Sequence, residues 1–276
     1  MALYIQTNYA SMVAQNNLSS TQNLMQTTFQ RLSSGYRINS AADDAAGLGI
    51  AESMNAQVRS FAVAERNAND GISMAQVADG AAGQVSSIMQ RLRELAVQSS
   101  NGDLTTSDRT NLDTEFQSLL GEIDRISQVT QFNGTNLLAG AGTPVAFQVG
   151  INTTANDRIN ITIGGVDTTQ LGVTGIDVTS FANAQTAITA LDSGLQALST
   201  VRTNFGTAIN QLQGAVSNLQ SQRSNMSASL GRIRDVDVAT ETAQMAKFQV
   251  LSQAGISVLA QANQSPQLAL SLLKGG

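Results

Sequence analysis

Two stretches of this chain hold residues whose types and spacing could do chemistry. In NSAADDAAGLGIAE (39–52), Asp43 and Asp44 offer a paired acid, and Gly47-x-Gly49 offers a loop that could cradle phosphate. In QRLRELAVQSSNG (90–102), Arg91 and Arg93 flank Leu92, with Glu94 beside both. Neither stretch makes an enzyme. Sequence neighbours on a helix do not face each other, so Asp43 and Asp44 cannot share a proton as a working dyad. A lone G-x-G with no strand before it is a weak phosphate signal. The consistent reading of Asp43, Asp44, Gly47 and Gly49 is a connector, in which small residues let segments approach closely. The arginine stretch reads as a charged helix face.

The remaining chemistry is limited by absence. The chain has no Cys, no His and no Trp. Thiolate nucleophiles, imidazole bases, disulfides and zinc–thiolate sites are therefore excluded. No catalytic residue, cofactor site or metal site is proposed, and the methionines at helical spacing read as core filler. With 15 basic and 20 acidic residues the net charge is −5. That balance gives no basic stripe for nucleic acid and no attraction to an anionic membrane. No apolar run is long enough to span a bilayer. The opening MALYIQTNYASMV lacks a basic n-region, so a secretory signal is not expected.

The elements that must carry these residues come from periodicity. Met74, Ala78, Ala81, Val85, Ile88, Leu92 and Leu95 step by four and three, the seam of a coiled coil or bundle helix that Asn101-Gly102 ends. A second seam is Leu112, Phe116, Leu119, Ile123 and Ile126, stopped by FNGTN at 132–136. The third is the longest: Leu198, Phe205, Ile209, Leu212, Val216, Leu219, Met226, Leu230 and Ile233, interrupted by Arg202 and Arg223. A helix over 183–234 would be about 75 Å long, so a rod is expected rather than a globule. Between these seams the period falls to two. Val145, Phe147 and Val149 face Ile159, Ile161 and Ile163 across a turn-rich NTTAND, which predicts a β-hairpin. A Thr/Gly/Val stretch to about 179 is expected to complete a small β-rich cap.

Both ends are amphipathic helices by the same test. Leu18, Met25, Phe29, Leu32 and Tyr36 form one stripe. Met245, Phe248, Leu251, Gly255, Val258 and Ala262 form another, next to Leu259 and ahead of a tail carrying Leu268, Leu272 and Leu273. The expected class is mainly α: a long antiparallel helical rod, coiled-coil-like, with a small β-hairpin region and paired N- and C-terminal helices. Two helices alone cannot cover such stripes. The ends are therefore expected to order when copies of the chain pack together, with Leu18, Met25, Phe29, Leu32, Phe248, Leu251, Val258, Leu259, Leu268, Leu272 and Leu273 as the assembly residues.

SSGYRINSAADDAAGLGIAE (33–52), RNANDGISMAQVADGA (66–81), QRLRELAVQSSNG (90–102), EIDRISQVTQFNGTNLL (122–138) and SLLKGG (271–276) resemble bacterial flagellin. The likeness covers about 1–140 and 183–276, and its shortness resembles a form without large outer domains. The resemblance implies a structural subunit of the extracellular flagellar filament, a self-assembling helical homopolymer used in motility. It implies a terminal domain of 1–44 with 236–276 lining the inner tube, and a rod domain of 45–235 containing the hairpin region at about 140–180. It implies type III export and partners in an export chaperone, the filament cap and hook-associated proteins. Arg91, Leu95 and Glu115 match the positions by which flagellins contact the vertebrate Toll-like flagellin receptor. A hook–filament junction protein and a non-polymerising coiled-coil adaptor are the rival readings. Sequons at Asn17, Asn133, Asn152, Asn160, Asn225 and Asn263 read as coincidences of composition, and O-glycosylation near 143–180 is left open.

Overall fold

The structure, a computed structural model, describes residues 7–140 and 144–274, with 265–274 described by backbone alone. The long helices are α1 (Tyr9–Ser34), α2 (Ala45–Ser99), α3 (Thr106–Val129), α4 (Phe181–Arg234) and α5 (Val238–Lys274). Two small antiparallel pairs accompany them: β1 (Gln131–Phe132) with β2 (Thr135–Asn136), and β3 (Pro144–Gln148) with β4 (Arg158–Thr162). The mainly helical class agrees with the sequence reading. The chain divides into two compact units, Gln57–Ser224 and Met1–Ala56 with Asn225–Gly276.

In Gln57–Ser224, ion pairs set the direction of α2 against α4. Glu65 meets Arg223 at 2.6 Å, Asp79 meets Arg202 at 2.9 Å, and Arg93 meets Asp192 at 2.6 Å. Rising numbers on one helix meet falling numbers on the other, so the two run antiparallel. Arg202 and Arg223, which interrupt the expected α4 seam, are the partners in two of these pairs. Their long stems lie along the bundle while the guanidinium ends stay in water.

The buried line of α2 differs in detail from the expected seam. It runs Phe61, Ala64, Ala68, Gly71, Ala75, Ala78, Ala82, Val85, Met89, Leu92, Ala96 and Ser99, alternating steps of three and four without a break. The sequence-based seam shares Ala78, Val85 and Leu92 with it, but Ala81 and Ile88 are only partly buried. The physical reason is the width of the apolar sector. In the pairs Met74-Ala75, Ala81-Ala82, Ile88-Met89 and Leu95-Ala96 both residues are apolar and face the core side, and the second of each is the more completely covered. The same displacement occurs in α3, where Leu120 and Ser127 are buried and Leu119 and Ile126 flank them. In α4, Ala208 takes the central place and Ile209 the flank.

The β3–β4 hairpin forms as expected, with Val145 opposite Ile161 and Phe147 opposite Ile159. The stretch FNGTN does more than stop α3. Asn133 and Gly134 take φ values of 48° and 77°, as a two-residue primed turn requires, and close the β1–β2 hairpin. The expected β-rich character of 164–179 is not found, since no strand forms there. That segment instead turns at Gly172 and Gly175, both at positive φ, and drops Val166, Leu171, Val173 and Val178 into the core. Polar clamps replace a ladder: Asp124 accepts from the Thr168 N–H at 2.9 Å and from its hydroxyl at 3.0 Å, and Asp113 accepts from the Val178 N–H at 3.0 Å.

Two glycines of α4 should respond oppositely to alanine. A Cβ at Gly194 would lie 2.9 Å from the Leu171 carbonyl oxygen and 2.7 Å from the Met89 Cε, whereas Gly214 has open space. Gly194→Ala is expected to destabilise Gln57–Ser224 by about 1–3 kcal/mol through overpacking. Gly214→Ala should stabilise it by roughly 1 kcal/mol through helix propensity. Urea unfolding of the two variants, followed by circular dichroism, measures both signs.

Candidate assembly site

In the unit containing both ends, α1 and α5 run antiparallel. The Asn8 side-chain amide donates to the Ala262 carbonyl at 2.8 Å, and the Ser11 hydroxyl bonds the Asn263 side chain at 2.8 Å. Further along, the space at Gly255 is bounded by Leu18. At the other end of α1, Arg31 approaches Glu241 at 3.9 Å, an ion pair without a hydrogen bond.

This helix pair has little interior of its own. The buried residues of α1 are Ser11, Ala14 and Thr28, and among the described side chains of α5 only Glu241 is buried. No large apolar side chain of either helix is buried among the described residues. Of the expected assembly residues, Leu18, Met25, Leu32, Phe248 and Leu259 are partly buried. Phe29, Leu251 and Val258 are exposed, at 64%, 45% and 55%. The side chains of Leu268, Leu272 and Leu273 lie outside the described residues. Tyr9, Met12, Val13, Leu24, Val250 and Ile256 are also exposed and were not on the expected stripes. Both helices are thus apolar on several faces, a pattern that belongs to helices surrounded by neighbours.

A second signal in the sequence, separate from periodicity, points the same way. Residues 1–30 and 248–273 contain no Asp, Glu, Lys or Arg. The polar residues there are Asn, Gln, Ser, Thr and the Tyr hydroxyls. Burying such a surface against another chain removes no charge from water, so the large desolvation cost of ions is avoided.

The connector is held by backbone bonds and two carboxylates. Gly35, at φ 75°, caps α1 in the left-handed conformation. Tyr36 then pairs with Asp235; the Arg37 N–H donates to the Arg234 carbonyl at 2.7 Å, and the Val236 N–H to the Gly35 carbonyl at 3.0 Å. Arg234 lies 4.1 Å from the Tyr36 ring centroid, within cation–π range. Asp43 accepts from the Ser40 N–H at 2.9 Å, the Ser40 hydroxyl at 3.0 Å and the Asn39 N–H at 3.2 Å. Asp44 accepts from the Gly47 N–H at 2.8 Å, which ties down the first turn of α2. The two carboxylates thus have separate structural partners. At buried Gly47 a Cβ would lie 2.3 Å from Asp44 Oδ2, whereas Gly49 is exposed with open space around it.

Arg91 and Glu115 come together across α2 and α3. Arg91 Nη2 lies 3.0 Å from Glu115 Oε1, and Arg91 Nη1 lies 3.0 Å from Glu94 Oε2. The hydrogen bonds that Arg91 donates to Glu94, and then to Glu115, raise its pKa above the ordinary value. Leu95 is 1% exposed, so it lies beneath this patch rather than on it.

With this geometry in view, comparison with known proteins is direct. The bacterial flagellin N-terminal helical region matches residues 5–143, and the C-terminal helical region matches 188–273. A flagellin of Halalkalibacterium halodurans is 43% identical over 272 residues, covering 99% of this chain and all of that protein. Polar flagellin C of Vibrio parahaemolyticus is 33% identical over an alignment of 384 residues, covering 99% of this chain and all of the relative. The structure of a hook-associated protein, described as putative, from Vibrio parahaemolyticus aligns with a TM-score of 0.58 at 15% identity, over 70% of this chain and all of that one, a likeness of fold. The chain belongs to the bacterial flagellin family, in a short form. It is a structural, non-enzymatic subunit that self-polymerises into the extracellular filament of the bacterial flagellum, the organelle of motility.

The Asp43 clasp gives a pH expectation. The Ser40 N–H, aided by its hydroxyl, the Asn39 N–H and the Arg31 charge, holds the Asp43 carboxyl below the usual carboxylate range against a smaller opposing effect of burial. A depressed folded-state pKa contributes stability that is fully present above about pH 4 and is lost as pH falls through the folded value. Asp43→Asn should remove that acid-dependent part. Amide exchange of Asn39 and Ser40 across pH 2 to 6, about the carboxylate range, should show protection that varies with pH in the parent and is flat in the variant.

Proposed function

We propose that the subunit polymerises head-to-tail through α1 and α5, whose exposed apolar and uncharged faces are buried by the same helices of other copies. In this reading residues 1–44 with 236–276 form the domain lining the inner tube, and 45–235 form the next shell, with the β3–β4 hairpin in it. A head-to-tail contact whose rotation does not close generates an open helical fibre rather than a ring. The observation that carries this reading is the α1–α5 pair with no large buried apolar side chain among the described residues. Such a pair gains stability chiefly from what packs around it. Ordering on contact would confine growth to a pre-formed end and keep the monomer available for export. An export chaperone, the filament cap and hook-associated proteins are the partners this route requires. Asp43, Asp44, Gly47 and Gly49 would serve as the connector between the shells.

The test is made on the full chain and on two variants, by electron microscopy after seeding. Deleting residues 268–276 should leave soluble monomer and abolish filaments. Val258→Glu, which places a charge on the uncharged exposed face of α5, should do the same while leaving Gln57–Ser224 folded. Normal filaments from both variants would remove the terminal helices from the assembly mechanism.

A second role is favoured by the Arg91–Glu115 patch. Its half-exposed guanidinium offers planar donors already oriented by two carboxylates, which suits an anchor for a protein partner. The partner would be the vertebrate Toll-like flagellin receptor, met by the monomer, with Leu95 supporting the patch from below. Arg91→Ala should lower receptor signalling by purified monomer at least tenfold, about 1.4 kcal/mol. Unchanged signalling at matched concentration rules the anchor out.

A further inference from the structure

The chain contains two Asn-Gly pairs in exposed turns, Asn101-Gly102 and Asn133-Gly134, and the structure treats them differently. At 133–134 both residues are at positive φ, and the turn is fixed by pairing of Phe132 with Thr135 and Gln131 with Asn136. Swinging the Gly134 nitrogen toward the Asn133 side chain would break that hairpin. The turn at 101–102 has no ladder. Instead, one side chain gathers its carbonyls. Arg109 donates through Nε to Ser99 O at 3.0 Å, through Nη1 to Leu104 O at 2.9 Å, and through Nη2 to Asn101 O at 2.7 Å. Gly102 is exposed, has open space around its Cα, and its N–H meets no protein acceptor among the described residues.

We propose that Asn101-Gly102 is a site of self-modification, a spontaneous deamidation promoted by Arg109. The reaction begins when the Gly102 N–H loses its proton to hydroxide. The negative charge so formed is shared along the peptide group onto the Asn101 carbonyl oxygen, the atom to which the Arg109 guanidinium donates. A charged donor already in place where anionic charge develops lowers the barrier in the manner of an oxyanion hole. The Gly102 nitrogen then bonds to Asn101 Cγ, the bond from Cγ to the side-chain nitrogen breaks, and that nitrogen leaves as ammonia with protons taken from water. Water opens the resulting cyclic imide at either carbonyl, leaving aspartate or isoaspartate at 101. The balance is one ammonia lost and one water gained, with no oxidant or cofactor. The product carries one more negative charge, next to the cation that promoted it.

Arg109 could oppose the reaction instead, by anchoring the carbonyl and freezing the turn, so the two effects predict opposite signs. Purified full-length protein is incubated at mildly alkaline pH, and peptide mass mapping follows ammonia-for-water exchange at 101 and at 133. In the folded chain Asn101 is expected to convert well ahead of Asn133. In urea, where the clasp and hairpin are both gone, the two pairs should converge on one rate, with Asn101 reacting more slowly than in the folded chain. Arg109→Gln should slow Asn101 by about tenfold in the folded protein, and Gly102→Ala should nearly stop it. A folded-state rate at Asn101 below its rate in urea overturns the proposal, as does an unchanged or faster rate in a folded Arg109→Gln variant. The urea comparison needs no substitution, so it decides even if that variant fails to fold.

Discussion

Two helices packed along a single line can hide only one stripe of each, and everything about the terminal unit follows from that limit. In α1 the shared line runs Ser11, Ala14, Leu18, Thr21, Met25, Thr28 and Leu32, and only its small or polar members Ser11, Ala14 and Thr28 are fully buried. Its large apolar members are only partly buried, and other apolar residues, Phe29, Val250 and Ile256, stand more than half exposed. A pair built this way is incomplete by construction. Gln57–Ser224 solves the same problem internally, because α3, the hairpins and the 164–179 segment close around α2 and α4 and bury Phe116, Leu138, Val166 and Phe205. The difference between the units is therefore one of neighbour number, not of helix quality.

The helices and the β3–β4 register were legible in the sequence because both rest on strict periods. What periodicity could not resolve was which member of an apolar sector faces the partner. In α2 the pairs Met74-Ala75, Ala81-Ala82, Ile88-Met89 and Leu95-Ala96 are apolar at both places, and the second member of each lies at the centre. Two adjacent apolar residues give periodicity no ground for choosing between them, so the central line is hidden within a broader apolar face. The FNGTN turn was half legible. An Asn-Gly pair signals both a helix stop and a primed hairpin turn, and only the flanking strand pairing distinguishes them. The 164–179 segment misled because β-branched residues favour strands only when a partner edge is free to receive them. Here the residues go into the core one at a time, and Asp113 and Asp124 satisfy the backbone.

The candidate site was legible as composition more than as geometry. The stripes through Leu18 and Val258 were visible at helical spacing, but residues off those stripes, such as Tyr9, Val13 and Val250, carry as much exposed apolar surface. The stronger clue was negative: charged residues are missing from 248–273 and from 1–30. An ordinary solvated helix uses Lys, Glu and Arg on its outer face, since they are good helix formers and stay hydrated. Their replacement by Gln, Asn, Ser and Thr gives up solubility in exchange for a surface that can be covered. Within the connector, Asp43 and Asp44 look like a catalytic pair when read as letters. They separate into a turn clasp and a helix tie once each oxygen is assigned its donor.

The distribution of charge also separates the forces that act in each unit. Ion pairs from α2 to α3 and α4, at Glu65, Asp79, Arg91 and Arg93, fix the register of a bundle whose alanine seam would otherwise tolerate a slip of one heptad. Exposed pairs of this kind contribute little to stability one at a time. Their value lies in excluding wrong alignments: a slip of one heptad along α4 would set Glu65 against Val216 or Leu230 and Asp79 against Leu195 or Ile209. Residues 248–264 carry no side-chain charge, so that surface has no ion pair to be broken or screened. Were it covered by another chain, as proposed, the contact would rest on apolar burial and amide hydrogen bonding, which salt hardly weakens. Strong screening acts instead on the paired charges of Gln57–Ser224, and that contrast follows from where the charges were left out.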